Sequence, residues 1–332
     1  MTGTTIPQFP TDIPIQPLTA IDYERLRNGD EREVDALWQA ATSIGFWYFK
    51  NHGLERCMEK MHTMGNSTMD LPLTEKLNYV RPDSLFGYKR VGDSDAQSNS
   101  TDTVEILDVA KDDVLTWSKV NQRIYPSTVN SHMDSAIAPF IKGSMEMTDT
   151  ILNVFCSKLE LPKGTLSKLH SAEEPSMTEA RTIKTPKNLP PERQVQFGTH
   201  MFPGSLCFLH SNPSLGGMQI MPSGVDEWLW LKPIPRHVII NVGLPLSILS
   251  GGILRSPILR VIAPPGDLAS YERWSQLYYV HPGDSVDLRP LTDHSPLIAR
   301  AVNSLSEEDR AALTSPGGLG EEHDALHLGS RN

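Results

Sequence analysis

Arg273 and Ser275 stand two residues apart in the last third of the 332-residue chain. On a strand, alternate side chains share a face. A guanidinium fork beside a hydroxyl suits bidentate recognition of a carboxylate. His200 is a second candidate, because an imidazole titrates near neutral pH and can move a proton or hold a hydrogen bond. Lys184 and Arg260 are weaker candidates for the same work. A metal needs several preplaced ligands, yet no H-x-D or H-x-E pair occurs in the second half. Phe202 stands two residues after His200, Asn212 after His210, Ile239 after His237, Gly283 after His281, Pro296 after His294 and Ala172 after His170. Cys57, Cys156 and Cys207 form no CxxC and are odd in number, so neither a zinc site nor a disulfide framework is expected.

The elements that must position these groups are legible in outline. Asp30 with Glu33 reads as a capping box, and Val34, Leu37, Trp38, Ala41 and Ile44 follow at helical spacing until Gly45. Phe46-Trp47-Tyr48-Phe49 then reads as a buried strand closed by Asn51-His52-Gly53, with a second helix over 55–69. The polar run 93–102 reads as a rim loop. Ile137, Ile141, Thr148, Ile151, Leu152, Phe155 and Leu159 trace a long helix that Pro139 kinks or restarts. From Ala180 to about Pro290, short β-type runs separated by Pro and Gly predict a double-sheet barrel or jelly roll. Ser295 and Pro296 open a helix running to Leu313, and 315–332 read as a frayed tail.

Composition narrows the function classes. A net charge of -10 argues against a polyanion partner, since phosphate backbones require clustered Lys and Arg, so nucleic acid is not expected. No run approaches the roughly 20 apolar residues that span a bilayer. The cysteine usage fits a reducing, cytoplasmic setting.

Several segments resemble, in order, the isopenicillin N synthase-like Fe(II)/2-oxoglutarate oxygenases. They are Ile13-Pro14-Ile15, Gly45 to Gly53 with its N-H-G ending, Leu71-Pro72-Leu73-Thr74-Glu75-Lys76 and Gly87-Tyr88. In the second half come Gly216-Gly217-Met218-Gln219-Ile220, Trp228, Asn241-Val242-Gly243, Ser256-Pro257, Arg260-Val261 and Arg273-Trp274-Ser275. The fold implied is mainly β, a double-stranded β-helix or jelly-roll core with flanking helices. Along the chain this divides as a mixed α/β region (1–125), a helical segment (126–175), the core (176–290) and a C-terminal helix and tail (291–332).

The resemblance also implies an iron held by two histidines and a carboxylate. His200 matches the first ligand; Phe202 and Leu259 stand at the other two, and Leu244 replaces an aspartate expected after Gly243. Arg273 and Ser275 match the family's carboxylate grip, with Thr185 where a Tyr precedes the proline. Phe202, Leu244 and Leu259 give an apolar floor, with Tyr88 and Asn241 as further substrate contacts.

On the sequence alone the leading expectation is a metal-independent enzyme needing no cofactor, with 2-oxoglutarate and Fe(II) disfavoured. It would perform a cyclisation, isomerisation or pericyclic rearrangement of an apolar secondary-metabolite intermediate, with His200, Lys184 and Arg260 as catalytic groups. The alternatives are a non-catalytic homologue that supports a partner oxygenase or binds a small molecule, and an iron/2-oxoglutarate oxygenase with atypical ligands.

Overall fold

The computed structural model describes residues 6–80, 86–92, 103–116, 123–190, 194–212 and 215–314, so the rim-loop and tail segments read from sequence lie outside the described residues. The strands are β1 (Ala20–Asp22), β2 (Phe46–Lys50), β3 (Gly87–Lys89), β4 (Glu105–Ala110), β5 (Glu179–Thr185) and β6 (Val195–His200). They continue as β7 (Leu206–Asn212), β8 (Met218–Met221), β9 (Leu229–Trp230), β10 (Val238–Val242), β11 (Ile258–Ile262) and β12 (Arg273–Val280). Eight form one sheet in the order β1-β2-β10-β7-β12-β5-β4-β3, and four form a second in the order β6-β11-β8-β9. The larger sheet joins strands from before residue 125 to strands from after 176.

Strand alternation divides the core. Phe46, Tyr48, Ile106, Ile183, Cys207, Ile239 and Leu277 turn toward the four-stranded sheet and pack with Phe202, Met218, Ile220 and Leu259 along the barrel interior. Their neighbours Trp47, Phe49, Leu107, Phe208, Val238, Ile240, Trp274 and Tyr278 turn outward and pack against the helices. The helices Glu31–Ser43, Glu55–Met69 and Ala138–Lys158 supply that outer layer.

Local signals mostly act as their chemistry dictates. Asp30 caps its helix by accepting from Arg32 N at 3.0 Å. The reciprocal half of the capping box is absent, because the Glu33 carboxylate accepts instead from Asp22 N at 3.0 Å and ties the helix to β1. Gly45, with φ 76°, ends the helix where a Cβ would overlap the Arg255 carbonyl. Pro139 sits in the first turn of Ala138–Lys158, after a π-type turn over Met133–Ile137, so it restarts the helix. The C-terminal helix is shorter than its apolar pattern suggests. Ser295 caps Pro296–Asn303, and a separate helix, Glu307–Thr314, follows with Ser306 accepting from Asp309 N at 3.1 Å. Among the described residues no helix is long and apolar enough to cross a membrane.

Burial also stores a pH response. His210 is 1% exposed on the outer face of β7, wedged between His52 (ring centroids 5.4 Å apart) and Phe140 (5.8 Å), and neither ring nitrogen has a partner. Burial, with the His52 charge opposing, holds its pKa well below the usual 6.5. A depressed imidazole binds its proton more readily in the unfolded chain, so the stability it allows is complete above about 6.5 and falls as pH drops below that value. Burial holds His170 and His281 at about 4 in the same way. The variant His210→Leu is expected to gain about 1–2 kcal/mol at pH 7, the penalty of unsatisfied buried polar atoms. Urea denaturation from pH 7 to 5 should then show a shallower loss than the parent protein.

Candidate active site

The larger sheet places Arg273 and Ser275 on the inner face of β12, with Arg273 opposite Thr185 and Ser275 opposite Ile183. Arg273 is 5% exposed. Its guanidinium donates to the Gly216 carbonyl and to Gln196 Oε1, and more weakly to Thr185 Oγ1 at 3.4 Å. Gly217 makes room for it: at φ 120° it has no Cβ, and one would overlap the guanidinium. Among the described residues no carboxylate pairs with Arg273, and burial pulls its pKa down to about 10. Arg273 Nε and Gln196 Nε2 are both buried without a partner. A buried cation with spare donors and no counter-ion is a cradle for an anion.

His200 ends β6, directly opposite Leu259 of β11. Its Nδ1 lies 2.7 Å from the Gly198 carbonyl. A carbonyl only accepts, so Nδ1 carries the hydrogen and Nε2 keeps its lone pair. Burial lowers the pKa and the Gly198 bond partly restores it. One nitrogen on a backbone carbonyl and the other free is how a metal-binding imidazole is oriented.

The next two positions carry hydrocarbon. Phe202 (5% exposed) lies with its ring centroid 4.8 Å from Tyr279 and 6.2 Å from His281. Gly204 and Gly243 clear its path, since a Cβ at either would lie 2.7 Å from the ring. Leu259 is buried beside it in the barrel interior. Among the described residues no three His, Cys, Asp or Glu side chains converge as metal ligands. The described side chains therefore do not fit an iron held by three protein ligands, although His200 fits as one.

Charges that sequence reasoning missed lie further along the same interior. Arg181 pairs across β5 and β12 with Leu277, four residues from Arg273, or about 13 Å along the strand. Asp108 of β4 accepts from Arg181 Nε at 2.7 Å and Nη2 at 3.0 Å, and Glu179 Oε1 from Nη2 at 2.9 Å. The guanidinium lies 4.9 Å from the Tyr279 ring centre. The available signal was Asp108 inside the apolar run Ile106-Leu107-Asp108-Val109, together with Glu179 and Arg181 at period two in a strand whose other same-parity residues are Ile183 and Thr185.

Of the remaining five sequence candidates, Lys184, Arg260 and Tyr88 face away from the barrel interior. Lys184 is on the outer face of β5, over the Trp274 ring at 5.2 Å and 3.6 Å from Glu272. Arg260 alternates with Leu259 and so turns away from the barrel; it donates to Gln219 at 2.7 Å and stacks on Trp228 at 4.2 Å. Tyr88 packs with the outer cluster, donating to Glu105 at 2.5 Å. Asn241 is buried, opposite Cys207 in the register of β7 and β10, and donates to the Val242 carbonyl. Leu244 is half-buried and opens a short helix, its N–H donating to the Phe202 carbonyl at 2.9 Å.

Comparison with known proteins supplies the kinship. A family model described as the non-haem dioxygenase in morphine synthesis N-terminal region matches residues 18–128, and one for the 2OG-Fe(II) oxygenase superfamily matches 177–282. The chain is 28% identical over 276 residues to the 2-oxoglutarate-dependent dioxygenase frbH of Dothideomycetidae sp., covering 82% of this chain and 84% of that protein. A full-length Neurospora crassa protein, solved in complex with α-ketoglutarate, superposes with a TM-score of 0.69 at 18% identity, over 92% of this chain and 93% of that one. JOX2, solved with 2-oxoglutarate, iron and JA, gives 0.67 at 21% identity, over 88% and 84%.

These relatives overturn two expectations drawn from the sequence. A metal-independent, non-redox cyclase or isomerase and a requirement for no cofactor both conflict with kin that are 2-oxoglutarate-dependent dioxygenases and with neighbours solved with 2-oxoglutarate and iron. The expectation gave too much weight to Phe202 and Leu259 and too little to the buried guanidinium of Arg273 with its unpartnered Nε. The relatives lend no support to a degraded triad either. From both halves of its length, this chain belongs to the 2OG-Fe(II) oxygenase superfamily, as an isopenicillin N synthase-like enzyme with a double-stranded β-helix core.

Proposed function

We propose that this chain is a 2-oxoglutarate-dependent oxygenase with atypical metal ligands, acting on a small organic substrate inside the barrel. The observation that carries the reading is Arg273: a buried guanidinium with no carboxylate partner among the described residues, beside Ser275, its own Nε and the neighbouring Gln196 Nε2 both unpartnered. A dicarboxylate such as 2-oxoglutarate supplies the missing counter-ion through its distal carboxylate. Kinship supports the reaction class. Iron would rest on His200 with ligands other than Phe202 and Leu259.

The test is calorimetric titration of the full chain with 2-oxoglutarate, with and without Fe(II) under anaerobic conditions, followed by an assay for succinate on admitting oxygen. Binding, with succinate formed only when Fe(II) is present and His200 is intact, supports the reading. No binding of 2-oxoglutarate in either condition overturns it, as does turnover unaffected by a chelator.

A further inference from the structure

Glu179 and Asp108 both reach Arg181 inside the barrel, Asp108 through two bonds and Glu179 through Oε1 alone. One guanidinium does not neutralise two buried carboxylates, so one of them keeps a proton. The bidentate contact gives the negative charge to Asp108. Glu179 therefore holds the proton, in keeping with a pKa raised to about 8, first by burial and then by the Asp108 charge against the pull of Arg181. A guanidinium only donates, so Oε1 accepts from it and the proton sits on Oε2. That oxygen is buried and has no partner.

The surroundings limit what can meet it. The Asp108–Arg181 pair is already balanced, so an anion gains little there and would face Asp108. The apolar wall is the Phe202–Tyr279 ring pair. The other titratable groups facing the cluster are Lys89, whose charge favours ionised Glu179 and Asp108, Cys207 and Tyr279, whose thiol and phenol burial keeps protonated, and His281, which burial keeps neutral.

We infer that this end of the barrel is the substrate site, that it takes an uncharged aromatic or conjugated molecule, and that the carbonyl oxygen of that molecule accepts the Glu179 Oε2–H bond while its ring lies on Phe202 and Tyr279. Glu179 is then a specificity-determining residue, with Asp108 and Arg181 positioning it. The inference rests on the reading of the barrel as the active chamber and names its substrate class.

The experiment uses the full chain and three probes sharing one ring system: 2-acetylnaphthalene, 2-ethylnaphthalene and 2-naphthoate. The ketone is expected to bind about tenfold more tightly than the other two, the worth of one satisfied buried hydrogen bond. Its affinity should fall above pH 8, as Glu179 loses its proton. Glu179→Gln keeps a donor and should retain the ketone preference without the pH dependence; Glu179→Leu should lose the preference while still binding the hydrocarbon. If the three probes bind alike, if 2-naphthoate binds best, if the ketone does not bind at all, or if Glu179→Leu keeps the preference, the inference is wrong. Titration of the same samples with 2-oxoglutarate reads the Arg273 cradle independently, so failure of that reading and failure of this one are told apart.

Discussion

Replacing Arg273 by methionine is expected to weaken 2-oxoglutarate binding by roughly 10²–10³-fold while leaving the protein folded. Truncating one partner of a buried, hydrogen-bonded charge pair costs about 2–5 kcal/mol, and among the described residues Arg273 is the cation that the inner face of β12 offers to the anion. Stability should change little. Methionine releases the Gly216 carbonyl and Gln196 Oε1 from their donors, but it also removes an unpaired buried cation. Arg273→Lys keeps the charge without the fork and should lose about tenfold. Calorimetry checks the affinities, and thermal unfolding of the same samples excludes a collapsed variant. Unchanged binding in Arg273→Met would mean that the carboxylate is held elsewhere.

The largest loss of stability is expected from Asp108→Ala. The aspartate is fully buried and takes two of the three Arg181 contacts, so its removal leaves a buried guanidinium facing Glu179 alone. Breaking a buried pair in this way costs about 3–5 kcal/mol. The same change should alter how stability responds to pH. In the parent protein Glu179 has its pKa raised from 4.5 to about 8, so its contribution is complete below 4.5 and is lost as pH rises through 8. Without Asp108, Glu179 ionises to answer Arg181 and that loss shrinks. Urea denaturation between pH 6.5 and 9, above the range in which the depressed histidines titrate, isolates the effect. A cost under about 1 kcal/mol in Asp108→Ala would show the cluster to be hydrated.

The difference between these residues and those read from the sequence is largely a matter of parity. Thr185, Ile183, Arg181 and Glu179 face the interior because Thr185 pairs with Arg273 and Ile183 with Ser275. Lys184 sits between them and must face out. Arg260 is one residue past Leu259 and meets Trp228 outside. Alternation is legible in a sequence, but its phase is fixed only when the partner strand is known. Segment order singled out Phe202, Leu259 and Arg273, whereas nothing local to Asp108 or Arg181 shows which way they face until the pairing of β4, β5 and β12 turns them inward. Helix starts were legible for a local reason, since Asp30 and Ser295 cap within three residues of themselves. The destination of Glu33 was not, because its partner on Asp22 belongs to another element.

The order of strands has a consequence for how the chain acquires its shape on the ribosome. β12 lies between β7 and β5, so the larger sheet exists only as two unjoined halves until residues 273–280 have been synthesised. β2, made well before the barrel strands, must wait for β10 before both of its edges are paired. Long sequence separations of this kind slow folding, because loop closure must precede the pairing that rewards it. Meanwhile the open edges of β5 and β7 can pair with those of another nascent chain. Yield during synthesis and refolding will therefore depend on chain concentration and on chaperones far more than the stability of the finished barrel does.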